Sequence, residues 1–227
     1  MRALCTRSTF QITLMKLPSS NAELVEHLKS SFHLTRSEEE TAFRLTDRKN
    51  FALPEFLAQA YADAPRPTLQ GQTISAPGVV AIMTEALEVK PGMRVLEVGA
   101  GSGYQAAILS RLAGKAGKVF SMERIPELAA RAKKNLKRDG ANGVEVICGD
   151  GSAGLAGEAP FDRIIVTAAA RKIPEKLAQQ LKDGGKMVLP VGQNPYAQSL
   201  LVVEKNGGRL AKRKLLDVVF VPLVEEQ

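Results

Sequence analysis

The chain has 227 residues, long enough for one full α/β core plus a small extra element, and its 44% hydrophobic and 24% charged residues are ordinary for a globular protein. No apolar run approaches the roughly 18 residues needed to cross a membrane. Cys5 and Cys148 are too few and too far apart for a disulfide framework and suit a reducing cytoplasm. The net charge of +7 admits nucleic acid as a partner. Its clusters, Arg131, Lys133, Lys134, Lys137 and Arg138, then Lys205, Arg209, Lys212, Arg213 and Lys214, carry no interleaved aromatics for base stacking. They read as solvated faces, and no nucleic-acid partner is expected.

Residues 1–17 hold Arg2, Arg7 and Lys16 and no acid, and the apolar piece after Phe10 is broken by Gln11 and Thr13, so no secretory signal is read there. This segment is expected to be disordered or an over-long start, with Met15 a second start. Ser20 is placed to cap a helix through Ala22, Leu24, Val25, Leu28 and Phe32. Glu38, Glu39 and Glu40 suit the N-terminus of a second helix near Ser37. Pro54 opens a short third helix with Phe56, Leu57 and Tyr61. His27 and His33 read as surface helix residues, and without partners at ligand spacing they make no metal site. This helical section, residues 18–76 with a loop over Asp63 to Gly71, is expected to pack over a sheet rather than stand as an independent domain.

The rest, residues 77–227, alternates regularly. Pro77 suits a first helical turn, and Val79, Met83 and Leu87 recur on one face. Val95 to Val98 reads as a buried strand. Lys118–Glu123, Val144–Cys148, Arg163–Thr167 and Lys186–Val191 read as further strands, with helices over Pro126–Arg138 and Pro174–Leu181 between them. Ser199–Glu204 and Leu215–Val221 form a terminal pair around Asn206-Gly207-Gly208. The alternation predicts an α/β, Rossmann-like, doubly wound and mostly parallel sheet with right-handed crossovers, a helical N-terminal extension and antiparallel C-terminal strands. There is no internal repeat.

The first of those strands stops at Gly99, Gly101 and Gly103, and a helix starts at Tyr104. Strand, glycine turn and helix lay a cofactor across the carboxyl end of a parallel sheet. Glu123 closes the next strand, 20 residues beyond Gly103, where a carboxylate can accept hydrogen bonds from both ribose hydroxyls of an adenosine-containing cofactor. Asp150, in Gly149-Asp150-Gly151 after the third strand, can accept from an adenine amine. A nicotinamide dinucleotide and S-adenosylmethionine compete for this pattern. The dinucleotide fingerprint wants G-x-G-x-x-G and close helix packing. The spacing here is G-x-G-x-G followed by bulky Tyr104, which favours S-adenosylmethionine.

These residues resemble the protein-L-isoaspartate (D-aspartate) O-methyltransferase family of class I S-adenosylmethionine-dependent enzymes, from about Ala42 to Leu223. The marks are Asp47-Arg48 with Phe51, Gly71-Gln72-Thr73-Ile74-Ser75-Ala76-Pro77, Val95 to Tyr104, Glu123 to Leu128, Gly149-Asp150-Gly151, Ala168-Ala169, Ile173-Pro174, Gln180-Leu181 and Pro190-Val191-Gly192. The resemblance implies methyl transfer to the free carboxylate of L-isoaspartyl residues in damaged proteins and peptides, with D-aspartyl left open. It implies Ser75 as the active-site serine, with Thr73 and Ile74 beside it in the substrate loop. Glu97, Gly99, Ala100 and Gly101 would line the methionine end of the cofactor, Glu123 with Arg124 the ribose, and Asp150 with Gly151 the adenine. Two positions depart from the family: His often follows Ser-Ala-Pro where Gly78 stands, and Thr stands in some members where Val224 does. On the residues alone, Ser75 reads rather as a cap for the following helix. A methyltransferase acting on RNA or a small molecule, and a cofactor-binding module without turnover, are the competing functions. The expected form is a cytoplasmic monomer.

Overall fold

The computed structural model describes residues 17–224, so the expectation for the first sixteen residues lies outside the described residues. Helix α1 (Asn21–Ser30) begins at Ser20, whose hydroxyl accepts the Glu23 N–H at 3.2 Å. It buries Leu24, Val25 and Leu28, but stops before Phe32, which sits at φ 57 with its ring exposed. Helix α2 (Ser37–Leu45) carries its three glutamates in the first turn. Pro54–Gln59 is a 3-10 turn rather than an α-helix. Leu57 there is exposed, and Tyr61 lies beyond it with its hydroxyl donating to Asp47 at 2.8 Å.

The loop expected over residues 63–71 has its own structure. Strand β1 (Arg66–Pro67) pairs antiparallel with β2 (Thr73–Ile74), folding the chain back before α3 (Pro77–Leu87). Strand β3 (Arg94–Val98), α4 (Tyr104–Ala113), β4 (Lys118–Glu123), α5 (Pro126–Asp139), β5 (Val144–Cys148) and β6 (Phe161–Val166) follow. Then come α6 (Glu175–Gln180), β7 (Leu181–Asn194), β8 (Ala197–Asn206) and β9 (Arg209–Val218). The sheet runs β5-β4-β3-β6-β7-β8-β9, with β5 through β7 parallel and β8 and β9 antiparallel.

Most strand ends shift by a few residues from the sequence reading, the last strand closing at Val218 rather than Val221, and two strand starts differ most. Strand β7 starts at Leu181, well before Lys186, because buried Leu181 pairs with Phe161 and the register shifts after it. Strand β9 starts at Arg209 because Gly207 and Gly208, at φ 56 and 75, form a two-residue turn that sets Asn206 opposite Arg209. Such a turn matches the twist of the strands it joins. The basic residues 212–214 therefore stand on the outermost strand, where charge discourages pairing with another sheet.

Both faces of the parallel part are covered. Val95 joins the cluster under α3, α4 and α5, while Leu96 and Val98 join Phe161, Ile164 and Leu177 on the α6 side. The N-terminal helices belong to the first of these clusters. They pack mainly on α3 and α4, which lie between them and the sheet. The chain order reverses between β3 and β6, and at such a reversal the loops after neighbouring strands diverge and leave a crevice. No helix among the described residues is long and apolar enough to cross a membrane.

Candidate active site

The crevice at the reversal is a cleft of about 1120 Å³ including its solvent-open mouth. Its walls come from the Thr73–Ser75 loop, the turn after β3, the ends of β4, β5 and β6, and residues 221–224. Of the residues singled out from the sequence, Thr73, Ile74, Ser75, Gly99, Ala100, Gly101, Glu123, Arg124, Asp150 and Gly151 all line it.

The glycines of the turn do three different jobs. Gly99 sits at φ 102, and a Cβ there would collide with Thr167 Oγ1, which donates to the Gly99 carbonyl at 2.7 Å. Gly103, at φ 87, lets α4 approach α5, with a Cβ falling 3.3 Å from the Ala132 carbonyl oxygen. Gly101, at φ 51, has nothing within 4 Å of its would-be Cβ. Only there does the missing side chain leave room for a ligand, while the other two glycines serve packing within the protein. On the cleft floor, a Cβ on Gly151 would lie 2.6 Å from Val98 Cγ1.

Glu123 is almost buried at the end of β4, and its two carboxylate oxygens accept the N–H groups of Gly101 at 2.9 Å and Ile125 at 3.0 Å. It therefore shapes the glycine turn as well as facing the cleft. Asp150 closes a tight turn, accepting the Ser152 N–H and hydroxyl, each at 2.8 Å.

Glu97 differs from expectation, lying beneath the cleft wall rather than in it. The β3–β4 register sets it opposite Ser121, whose hydroxyl donates to Oε2, while Oε1 is buried with no hydrogen-bond partner. Burial, aided by the charge of Glu123 and opposed by the Ser121 hydrogen bond, pushes its carboxyl up to about 8.

Ser75 is not the cap of α3. The N-cap is Ala76, which provides no side-chain hydrogen bond, and Asp63 reaches from the preceding loop to accept the Gly78 N–H at 2.7 Å. Pro77 has no N–H, so two of the first three helical positions have none to offer beside Ser75. Behind the loop, Arg48 is fully buried, donating to the Ala60 carbonyl at 2.9 Å and the Ser75 carbonyl at 2.7 Å. Its guanidinium lies 4.9 Å from the ring centre of Tyr104, which also packs edge-on against Phe51. Burial lowers Arg48 to about 10 and raises the Tyr104 hydroxyl to about 12, so both hold their protons at neutral pH. Bulky Tyr104 at the helix start is thus the contact that ties the glycine turn to the N-terminal extension.

Several cleft residues were not singled out from the sequence: Met83, Met122, Leu128, Thr167 and residues 221–223, which lead to Val224. The terminal segment is brought in by backbone bonds from Ala169 N–H to the Val221 carbonyl at 2.7 Å and from Leu223 N–H to the Ala169 carbonyl at 2.8 Å. The histidines also differ from expectation. His33 lies beyond α1, half-buried, with Nδ1 buried and unpartnered, and His27 Nε2 stands 3.9 Å from Asp63. Among the described residues no group of three His, Cys, Asp or Glu side chains could hold a metal ion.

A parallel sheet reversing at a glycine turn, with an acid at the end of the next strand and a second acidic turn after the third, defines an S-adenosylmethionine-dependent methyltransferase. The cleft fits that cofactor, with open space over Gly101, a nearly buried carboxylate at Glu123 and an unpartnered Glu97 oxygen just behind the turn.

The protein-L-isoaspartate (D-aspartate) O-methyltransferase family model matches residues 19–227, and the chain belongs to that family. It is 48% identical over 205 residues to a protein-L-isoaspartate O-methyltransferase of Ignicoccus hospitalis, covering 90% of this chain and 97% of that one. A second relative, protein-L-isoaspartate O-methyltransferase 2 of Archaeoglobus fulgidus, is 48% identical over 210 residues, covering 92% and 94%. Among solved structures, a Plasmodium falciparum protein-L-isoaspartate O-methyltransferase in complex with S-adenosyl-L-homocysteine superposes with a TM-score of 0.81 at 29% identity, covering 92% of this chain and all of that one.

Proposed function

We propose that this enzyme methylates the free carboxylate of L-isoaspartyl residues in damaged proteins and peptides, with Ser75 orienting that carboxylate. The observation that carries the reading is the position of Ser75: it lines the cleft, its backbone is pinned by Arg48, and Asp63 relieves it of helix capping. Glu123 would hold the cofactor ribose, Asp150 and Gly151 its adenine, and Gly99 to Gly101 its methionine end, with Glu97 acting from behind the turn. When bound, S-adenosylmethionine supplies an electrophilic methyl group.

A substrate carboxylate is ionised at neutral pH, with a reference pKa of about 4, and needs no general base. Catalysis therefore rests on position, since holding reacting groups in line can contribute about 7 kcal/mol or more. The Ser75 hydroxyl can donate to one carboxylate oxygen and leave the other to attack. Ile74, Val80, Met83 and Met122 give this part of the cleft apolar walls. They exclude water that would otherwise stabilise the separated charges.

The same reading takes the working form as a cytoplasmic monomer with no nucleic-acid partner. It is supported by the two lone cysteines and by basic residues placed on α5 and on the edge strand β9. The test offers labelled S-adenosylmethionine with two peptides identical except for Asp or isoAsp. Base-labile methyl ester on the isoAsp peptide alone is expected, and equal labelling of both would refute the assignment. Ser75→Ala should lower turnover at unchanged S-adenosylhomocysteine affinity; an unaltered rate in folded protein removes Ser75 from the site.

A further inference from the structure

Gly78 lies in the first turn of α3 with its φ in the ordinary helical range, so the backbone does not demand glycine there. Space demands it. A Cβ at 78 would fall 2.7 Å from Asp63 Oδ2, 2.8 Å from His33 Nδ1 and 3.0 Å from His33 Cε1. The Asp63 carboxylate and the His33 ring, from two segments distant in the chain, converge on the slot that the missing side chain leaves. The other oxygen of Asp63 accepts the Gly78 N–H at 2.7 Å, and His27 Nε2 stands 3.9 Å from Oδ2 on the side of α1. His33 Nδ1 is buried there without a partner.

The Ser75 segment is consequently held at both ends. Arg48 grips the Ser75 carbonyl from beneath, and Asp63 grips the backbone three residues later. The His33 ring packs against Gly78 beside the Asp63 carboxylate. We propose that His33 and Asp63 are a positioning pair, fitted to the absence of a side chain at Gly78, that fixes the Thr73–Ser75 loop for the isoaspartyl substrate. This rests on the reading of Ser75 as the residue that orients the substrate.

The test is a set of full-length variants: His33→Ala, His33→Gln, Gly78→His, and the swap His33→Ala with Gly78→His. Each is measured for kcat and KM on an isoAsp peptide, for S-adenosylhomocysteine affinity by calorimetry, and for Tm. His33→Ala and Gly78→His are each expected to lower kcat/KM for the peptide about tenfold, with cofactor affinity changed less than about twofold. The swap is expected to be more active than either single variant, because the new imidazole enters the space that His33 vacates and only Asp63 Oδ2 must still shift away from the added Cβ. His33→Gln, which keeps a polar group in the slot, should lose less than His33→Ala.

Two results overturn the pairing: parental kcat/KM in His33→Ala, or a folded swap no more active than the worse single variant. Should His33→Ala fail to fold, the swap and His33→Gln decide on the same criterion. Ser75→Ala, measured alongside, separates the two ideas. An inert Ser75 with a working swap removes only the serine assignment, and a failed swap with a sensitive Ser75 removes only the pairing.

Discussion

Glu97 keeps a carboxyl group inside the molecule, where its titration can be read from the stability of the fold. In the unfolded chain the group titrates near 4.5; folded, burial carries it to about 8 against the lowering effect of the Ser121 hydrogen bond, with a smaller upward push from Glu123. A raised value means that the native state holds its proton longer. The associated stability is full below about pH 4.5 and is lost progressively as pH rises through about 8. Retaining one proton across that interval corresponds to on the order of 5 kcal/mol, a large part of an ordinary domain's stability. Glu97→Gln keeps the shape of the neutral carboxyl and an acceptor for the Ser121 hydroxyl, but cannot ionise. The assay is urea unfolding of parent and variant at about pH 5, 7 and 9, read as the difference between the two proteins so that other titrations cancel. The variant should gain on the parent by about 3 kcal/mol or more between the lowest and highest pH. A difference that stays flat would show that Glu97 is already ionised in the native state and would refute the reasoning.

Glu123→Gln leaves one acceptor oxygen where Gly101 and Ile125 now use two, and should weaken S-adenosylhomocysteine binding about tenfold or more by calorimetry. Unchanged affinity would count against its role in the cleft. Gly151→Ala places a Cβ 2.6 Å from Val98 and 3.3 Å from Met122 Cβ, so chemical denaturation should show a loss of about 1–3 kcal/mol. Arg48→Met abandons the carbonyls of Ala60 and Ser75 in a buried setting and should cost about 3 kcal/mol with reduced turnover. A cost below about 0.5 kcal/mol would place Arg48 outside the hydrogen-bonded support of the loop.

Features with a local cause were readable in the chain. Ser20 and the first-turn glutamates mark their helices because a cap and a dipole act within one turn. Val95 to Gly103 announces strand and turn because the residues that need burial and those that need positive φ adjoin each other. The errors follow the same logic. Phe32 matched the apolar face of α1 in spacing, yet the helix ends two residues earlier. The polar run after Arg209 lacks a strand pattern, and only its turn and its place at the sheet edge make it one.

The amino-acid sequence by itself determined the class of sheet, the glycine turn, the acids at the ends of β4 and β5, and the serine loop, since each is carried by residues adjacent in the chain. Only the tertiary structure decided what those groups touch. Asp63 rather than Ser75 caps α3, Glu97 sits behind the cleft wall against Ser121, residues 221–224 complete the cleft, and His33 meets Asp63 at Gly78. Each of these depends on strand register or on segments far apart in the chain meeting across the core, and such distances leave no periodic trace in a sequence.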